Sequence, residues 1–255
     1  MRPWLLSLLG VALAVVGCAA PPADASPVVD RPVRVTTTTN FITDTVSRIG
    51  GEHVVVTGLM GPGVDPHLFR ASARDVAALR DADLILYGGL NLEGRMAELF
   101  DELAQRQPTV AVTRDLPHDQ LLAPAPGANL EFDPHVWFDV GLWEQASRTI
   151  AGALTERDAA HAADYQRNLD TYLDELAALD REIHGLIDAV PPARRLLVTS
   201  HDAFQYFGRR YGLEVAGIQG ISTAAEATTA DVERVAALIA ERGVPAVFVE
   251  SSVPR

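Results

Sequence analysis

The chain has 255 residues, and 34 acidic against 21 basic side chains give a formal charge of −13. With 48% apolar and 6% aromatic residues, the composition is globular, neither disordered nor fibrous, and the length suffices for one large or two modest domains. The acidity excludes nucleic acid as a partner, since little would neutralise phosphates, and one Cys excludes an internal disulfide or a Cys-rich zinc module.

In chain order, Arg2 is followed by an apolar run from residue 4 to 16 and by Gly17-Cys18-Ala19-Ala20. A positive start, a short apolar stretch and small residues after it mark a secretory signal. The run falls short of the roughly 20 apolar residues that span a bilayer. Its end resembles the bacterial lipoprotein signal, so residues 1–17 are expected to be removed and Cys18 to be lipidated. Residues 18–32 hold four Pro and no apolar periodicity, and read as a flexible tether. The protein is then extracytoplasmic and meets the membrane through its lipid anchor only.

Residues 33–40 carry a β-branched run that predicts a first strand, and residues 41–49 an amphipathic helix ended by Gly50-Gly51. Strands follow at 53–59, 83–87 and 109–112, with helices at 72–80 (capped by Ser72) and 92–105. Residues 142–190 contain no Pro and repeat apolar residues every three and four, which predicts a shorter helix and then a long one over about 158–189. After Pro191-Pro192, strands are expected at 196–199, 215–218 and 246–249, with helices at 203–211 and 229–242. The fold class is therefore α/β: two β-α lobes with parallel sheets, joined by a long backbone helix. We place the first lobe at 33–141, the helical linker at 142–190 and the second lobe at 191–255. That lobe ends on a strand and is expected to be incomplete.

Three of the seven His share a context. Asp65-Pro66-His67-Leu68-Phe69 and Asp133-Pro134-His135-Val136-Trp137 echo each other, and His201 follows the strand at 196–200. All three are read as loop residues near strand ends, where ligands collect in α/β folds. Proline stiffens the presentation, and neutral imidazole ligates Zn(II), or Mn(II) beside carboxylate oxygens. His67, His135 and His201 are thus candidate metal ligands in a cleft between the lobes. Asp65 and Asp133 are either outer partners of the imidazoles or loop caps. Binding to neutral imidazoles should weaken as pH falls through about 6.5. His53, His161 and His184 are read as structural or solvated, and His118 as a weak candidate. Ser200-His201-Asp202 is no catalytic triad, whose members meet in space and rarely as neighbours in sequence.

At these residues the chain resembles the zinc- and manganese-binding solute-binding lipoproteins of bacterial ABC importers. The resemblance runs from about Val33 to Val253. It is carried by Gly63-Val64-Asp65-Pro66-His67, Ala82-Asp83-Leu84-Ile85-Leu86-Tyr87-Gly88-Gly89-Leu90-Asn91-Leu92-Glu93, Asp133-Pro134-His135-Val136-Trp137, Thr199-Ser200-His201-Asp202-Ala203-Phe204-Gln205-Tyr206-Phe207 and Phe248-Val249-Glu250-Ser251-Ser252. It implies one metal held between two lobes, with His67, His135 and His201 as the first three ligands and Glu250 as a further outer contact. It also implies a fourth, acidic ligand past Glu250, beyond the sequence in hand. The partners implied are a divalent metal ion, an ABC permease and its ATPase, with the binding protein a monomer, no enzyme and the metal its transported ligand. The single His in residues 114–132 favours manganese or mixed members, whereas His201 favours zinc, so Zn(II) and Mn(II) both stay open. Two rivals are a metal-dependent hydrolase with a three-His zinc site and a surface adhesin with a structural metal.

Overall fold

A computed structural model describes residue 28, residues 30–124, residue 128 and residues 130–252. The signal segment, Cys18 and most of the tether lie outside the described residues. The described end of that tether is fastened to the helical linker and to the first lobe. The Val28 N–H donates to the Arg157 carbonyl at 3.0 Å, and Arg31 forms a two-pronged pair with Asp83 at 2.6 and 2.8 Å.

The first lobe is a four-stranded parallel sheet in the order β2-β1-β3-β4, with β1 Val33–Thr37, β2 Val54–Gly58, β3 Leu84–Tyr87 and β4 Thr109–Ala111. The register pairs Val35 with Val56 and with Leu84. Successive side chains point to opposite faces, so Leu84 and Leu86 enter one core and Ile85 another. The first core is covered by α1 (Asn40–Gly50), whose Ile42, Val46 and Ile49 recur at helical spacing, with Gly51 at φ 54° ending it. The second lies under α2 (Ala73–Arg80), opened by a reciprocal Ser72–Asp75 capping box, and α3 (Ala97–Ala104).

The helix expected over 92–105 is shorter than its sequence pattern. Leu90 and Asn91 adopt positive φ, Gly94–Met96 forms a 3-10 turn, and α3 starts only at Ala97. The buried Glu93 explains the detour. Its carboxylate is drawn to the carboxyl ends of β1 and β3, where it accepts from Thr38 Oγ1 at 2.6 Å and from the Gly88 N–H at 2.8 Å.

α4 (Val140–Arg157) sends Trp143, Ala146, Ile150 and Leu154 into the first core. α5 (Ala162–Asp188) is one unbroken helix of 27 residues, about 40 Å long at 1.5 Å per residue. Its Tyr165, Leu169, Tyr172 and Leu176 are buried against the first lobe, and further along Asp180 is gripped by Arg210 and Tyr211 of the second. His161 lies just before α5, in a 3-10 turn, stacked on His53 with ring centroids 3.8 Å apart.

In the second lobe β5 (Leu196–His201) and β6 (Glu214–Gln219) pair in parallel, with α6 (Gln205–Tyr211) between them in sequence. α7 (Thr229–Arg242), opened by a Thr228–Asp231 capping box, packs Val235 on Val198 and Ala216. The strand expected at 246–249 is reduced to one parallel rung: Phe248 donates to the Val198 carbonyl at 2.8 Å and accepts from Ser200 at 3.0 Å. Val249 is 61% exposed, so little burial draws this stretch further onto the sheet.

Candidate metal centre

The three candidate ligands come from distant parts of the chain and meet between the lobes. His67 sits in the turn after β2, His135 just before the 3-10 turn Val136–Phe138, and His201 is the last residue of β5 rather than a loop residue. All three are buried, at 6%, 1% and 6% exposure. Their ligand nitrogens all lie within 4.8 Å of one another. The Nε2 of His135 is 3.2 Å from that of His67 and 3.4 Å from that of His201. Zinc–nitrogen bonds of about 2.0–2.1 Å at the tetrahedral angle set two nitrogens about 3.3–3.4 Å apart. Two edges of the cluster therefore have the dimension of a tetrahedral site.

Carboxylates orient the rings. Asp133 Oδ1 lies 2.7 Å from His135 Nδ1 and accepts the His135 backbone N–H at 2.9 Å. It accepts a hydrogen bond from Nδ1–H, so the Nε2 lone pair faces the centre of the cluster. Asp133 is thus both loop cap and ring partner. Glu250 Oε2 lies 2.6 Å from His201 Nδ1, a close approach that falls off the direction of an aligned hydrogen bond. Glu250 Oε1 accepts from Ser200 Oγ at 2.9 Å and from the His201 N–H at 3.1 Å. Asp65 caps its own loop, accepting the His67 N–H at 2.9 Å, and its second oxygen accepts from Thr223 Oγ1 across the cleft. Gly217 lets β6 pass beside the turn after His201, because a Cβ there would lie 2.6 Å from the Asp202 nitrogen.

Burial dominates the electrostatics. Desolvation, reinforced by the neighbouring imidazoles, lowers His67 and His135 to about 3. Both rings are therefore neutral far below the pH of about 6.5 at which composition alone placed proton competition. Burial pushes the Asp133 carboxyl up to about 7. Burial acts upward on Glu250 as well, but its contacts with His201 win and hold it below its ordinary range.

The rings edge a cavity of about 190 Å³, whose wall includes Thr39, Met60 and Trp137 from the first lobe and Thr223 and Ser251 from the second. The other four His stand apart from the cluster. His53 and His161 pair with Asp164 and Asp158, His118 lies edge-on to Phe132, and His184 lies edge-on to Tyr211. Sequence reasoning did not single out Thr223 or Tyr206. Their partners lie 158 and 73–84 residues away, so no local spacing announces them.

Two parallel-sheet lobes, a single long helix between them and three buried imidazoles in the groove define a two-lobed solute-binding protein with a nitrogen-rich cation site. The chain belongs to the family described as zinc-uptake complex component A, periplasmic (ZnuA), whose model matches residues 35–255. It is 41% identical over 254 residues to the manganese-binding lipoprotein MntA of Bacillus subtilis, covering 99% of this chain and 82% of that one. It is 45% identical over 220 residues to the zinc-binding protein TroA of Treponema pallidum, covering 86% and 70%. The solved structure of the periplasmic zinc-binding protein TroA from that organism superimposes with a TM-score of 0.84 at 44% identity, over 88% of this chain and 79% of that one.

Proposed function

We propose that the protein captures Zn(II) or Mn(II) outside the cytoplasm, through His67, His135 and His201, and delivers it to the permease and ATPase of an ABC importer. It does so as a monomer held to the membrane by a lipid on Cys18, with no bond made or broken in the cargo. The observation that carries this reading is the convergence of three buried Nε2 atoms whose partners Asp133 and Glu250 stand behind two of the rings. Three imidazoles offer a borderline-soft donor set that zinc accepts readily, and manganese once oxygen ligands join them. The relatives, one named a manganese-binding and the other a zinc-binding protein, span the same pair of metals.

Calorimetric titration of the metal-free protein tests the reading. Sub-micromolar binding of one Zn(II) or Mn(II), lost in His135→Ala with the circular dichroism unchanged, is the expected result. Absence of binding, or binding indifferent to that substitution, would overturn it.

A further inference from the structure

Tyr206 is the second residue of α6 and follows His201 closely. Its helix belongs to the second lobe, yet its ring is fully buried in a socket of side chains from outside that lobe: Leu116, Leu121 and Val136 of the first lobe and Leu142 of α4. Within that socket the hydroxyl accepts the Leu122 N–H at 3.0 Å and donates to the Asp133 carbonyl at 2.9 Å. The Asp133 N–H donates in turn to the Leu122 carbonyl at 2.9 Å. A single phenol therefore fastens residues 122 and 133 together, with its donor and its acceptor both used. A buried hydroxyl whose donor and acceptor are both engaged makes a rigid joint.

The residue whose carbonyl Tyr206 holds is the one whose carboxylate holds His135. A continuous path thus runs from His201 at the end of β5, through the start of α6, to Tyr206, Asp133 and the His135 ring. Its two ends are the Nε2 atoms 3.4 Å apart. Arg209, whose guanidinium lies 5.1 Å over the Tyr206 ring, adds a hydrogen bond to the Gln120 carbonyl at 2.6 Å and steadies the same joint.

We propose that Tyr206 is a positioning residue for metal capture: through the Asp133 carbonyl it fixes the His135 ring against the His201 ring across the cleft. The inference rests on the reading of those two rings as ligands. Without the hydroxyl, the Leu122 N–H and the Asp133 carbonyl each lose a partner, while the phenyl ring still fills its socket. Asp133 is then free to shift, and His135 Nε2 moves with it.

The test compares Tyr206→Phe with Leu116→Ala, which removes packing from the same socket but no hydrogen bond. Zinc dissociation is timed against a competing chelator, and Co(II)-loaded protein supplies a visible spectrum sensitive to ligand geometry. Tyr206→Phe should speed dissociation by roughly tenfold, the low end of what losing a direct partner of a metal ligand costs, and should change the Co(II) bands. Leu116→Ala should lower the thermal midpoint and leave both readouts as in wild type. A Tyr206→Phe protein with the wild-type rate and spectrum would overturn the role, as would Leu116→Ala reproducing both changes. A wild-type protein that holds neither Zn(II) nor Co(II) would overturn the capture reading, and this inference with it.

Discussion

Arg210 reaches from α6 to the first residue before α4, where its Nη1 lies 2.9 Å from Asp139 Oδ1. That oxygen also accepts the Gly141 and Leu142 N–H groups as the cap of α4, and the other Asp139 oxygen meets Arg209 at 3.2 Å. Arg210 Nε continues to Asp180 of α5 at 2.6 Å. One carboxylate thus starts a helix, joins the lobes and reaches the long helix through its partner. Asp139→Ala removes a cap worth about 1 kcal/mol and strips two guanidinium groups of a partner. We expect a loss on the order of 2–4 kcal/mol in urea denaturation. Arg48→Ala, which breaks exposed pairs with Asp44 and Glu175, should cost less than about 1 kcal/mol. Equal costs would remove the seam from the account.

Asp133 and Asp65 occupy matching places in the two Asp-Pro-His motifs, but only Asp133 touches its ring. Asp133→Asn leaves an amide that favours the wrong tautomer of His135, so metal affinity should fall about 10- to 100-fold. Asp65→Asn alters a loop cap and a contact to Thr223, and affinity should stay within about threefold. Titration of both variants decides the matter; equal losses would mean that the motifs act alike.

The pH dependence follows from His67. The unfolded chain protonates this ring near 6.5, whereas the folded chain resists until about 3 because the ring is buried. Between those values the unfolded state carries the extra proton, so acidification destabilises the metal-free protein. The slope from this one group is roughly 1.4 kcal/mol per pH unit. Measured against His67→Gln, metal-free wild type should lose about 2 kcal/mol between pH 6.5 and 5. A stability difference that does not move with pH would contradict the burial of a neutral ring.

Metal removal should be visible in the fold. A ligand that binds only the folded state at 100 times its Kd adds about 2.7 kcal/mol. Thermal melts of the zinc-loaded protein should therefore lie several degrees above those of the chelator-treated one, and His201→Ala should abolish the gap. A midpoint indifferent to zinc would show that the ion does not bridge the lobes.

Much of this architecture was legible in the chain. The alternation of β-branched runs with apolar residues at helical spacing announced the parallel units, and the Tyr165–Leu176 periodicity announced α5. The repeated Asp-Pro-His and the placement of His201 after a strand marked the cluster, because strand ends gather at one edge of such a fold. Other features were hidden for a physical reason. Residues 92–105 carry a helical pattern, but the burial of Glu93 overrides it. Residues 246–249 carry a strand pattern, but the side chains there find little to bury against. The Arg209, Arg210 and Tyr206 contacts were invisible because they depend on which distant surface α6 meets, and nothing within a helix of seven residues encodes that.

The wide spacing of His67, His135 and His201 along the sequence has a temporal meaning. In a nascent or stretched polypeptide these rings are strangers, and none of them alone competes well for a metal. A donor set fit for an ion therefore exists only once the last of the three has found its place, so folding comes before capture.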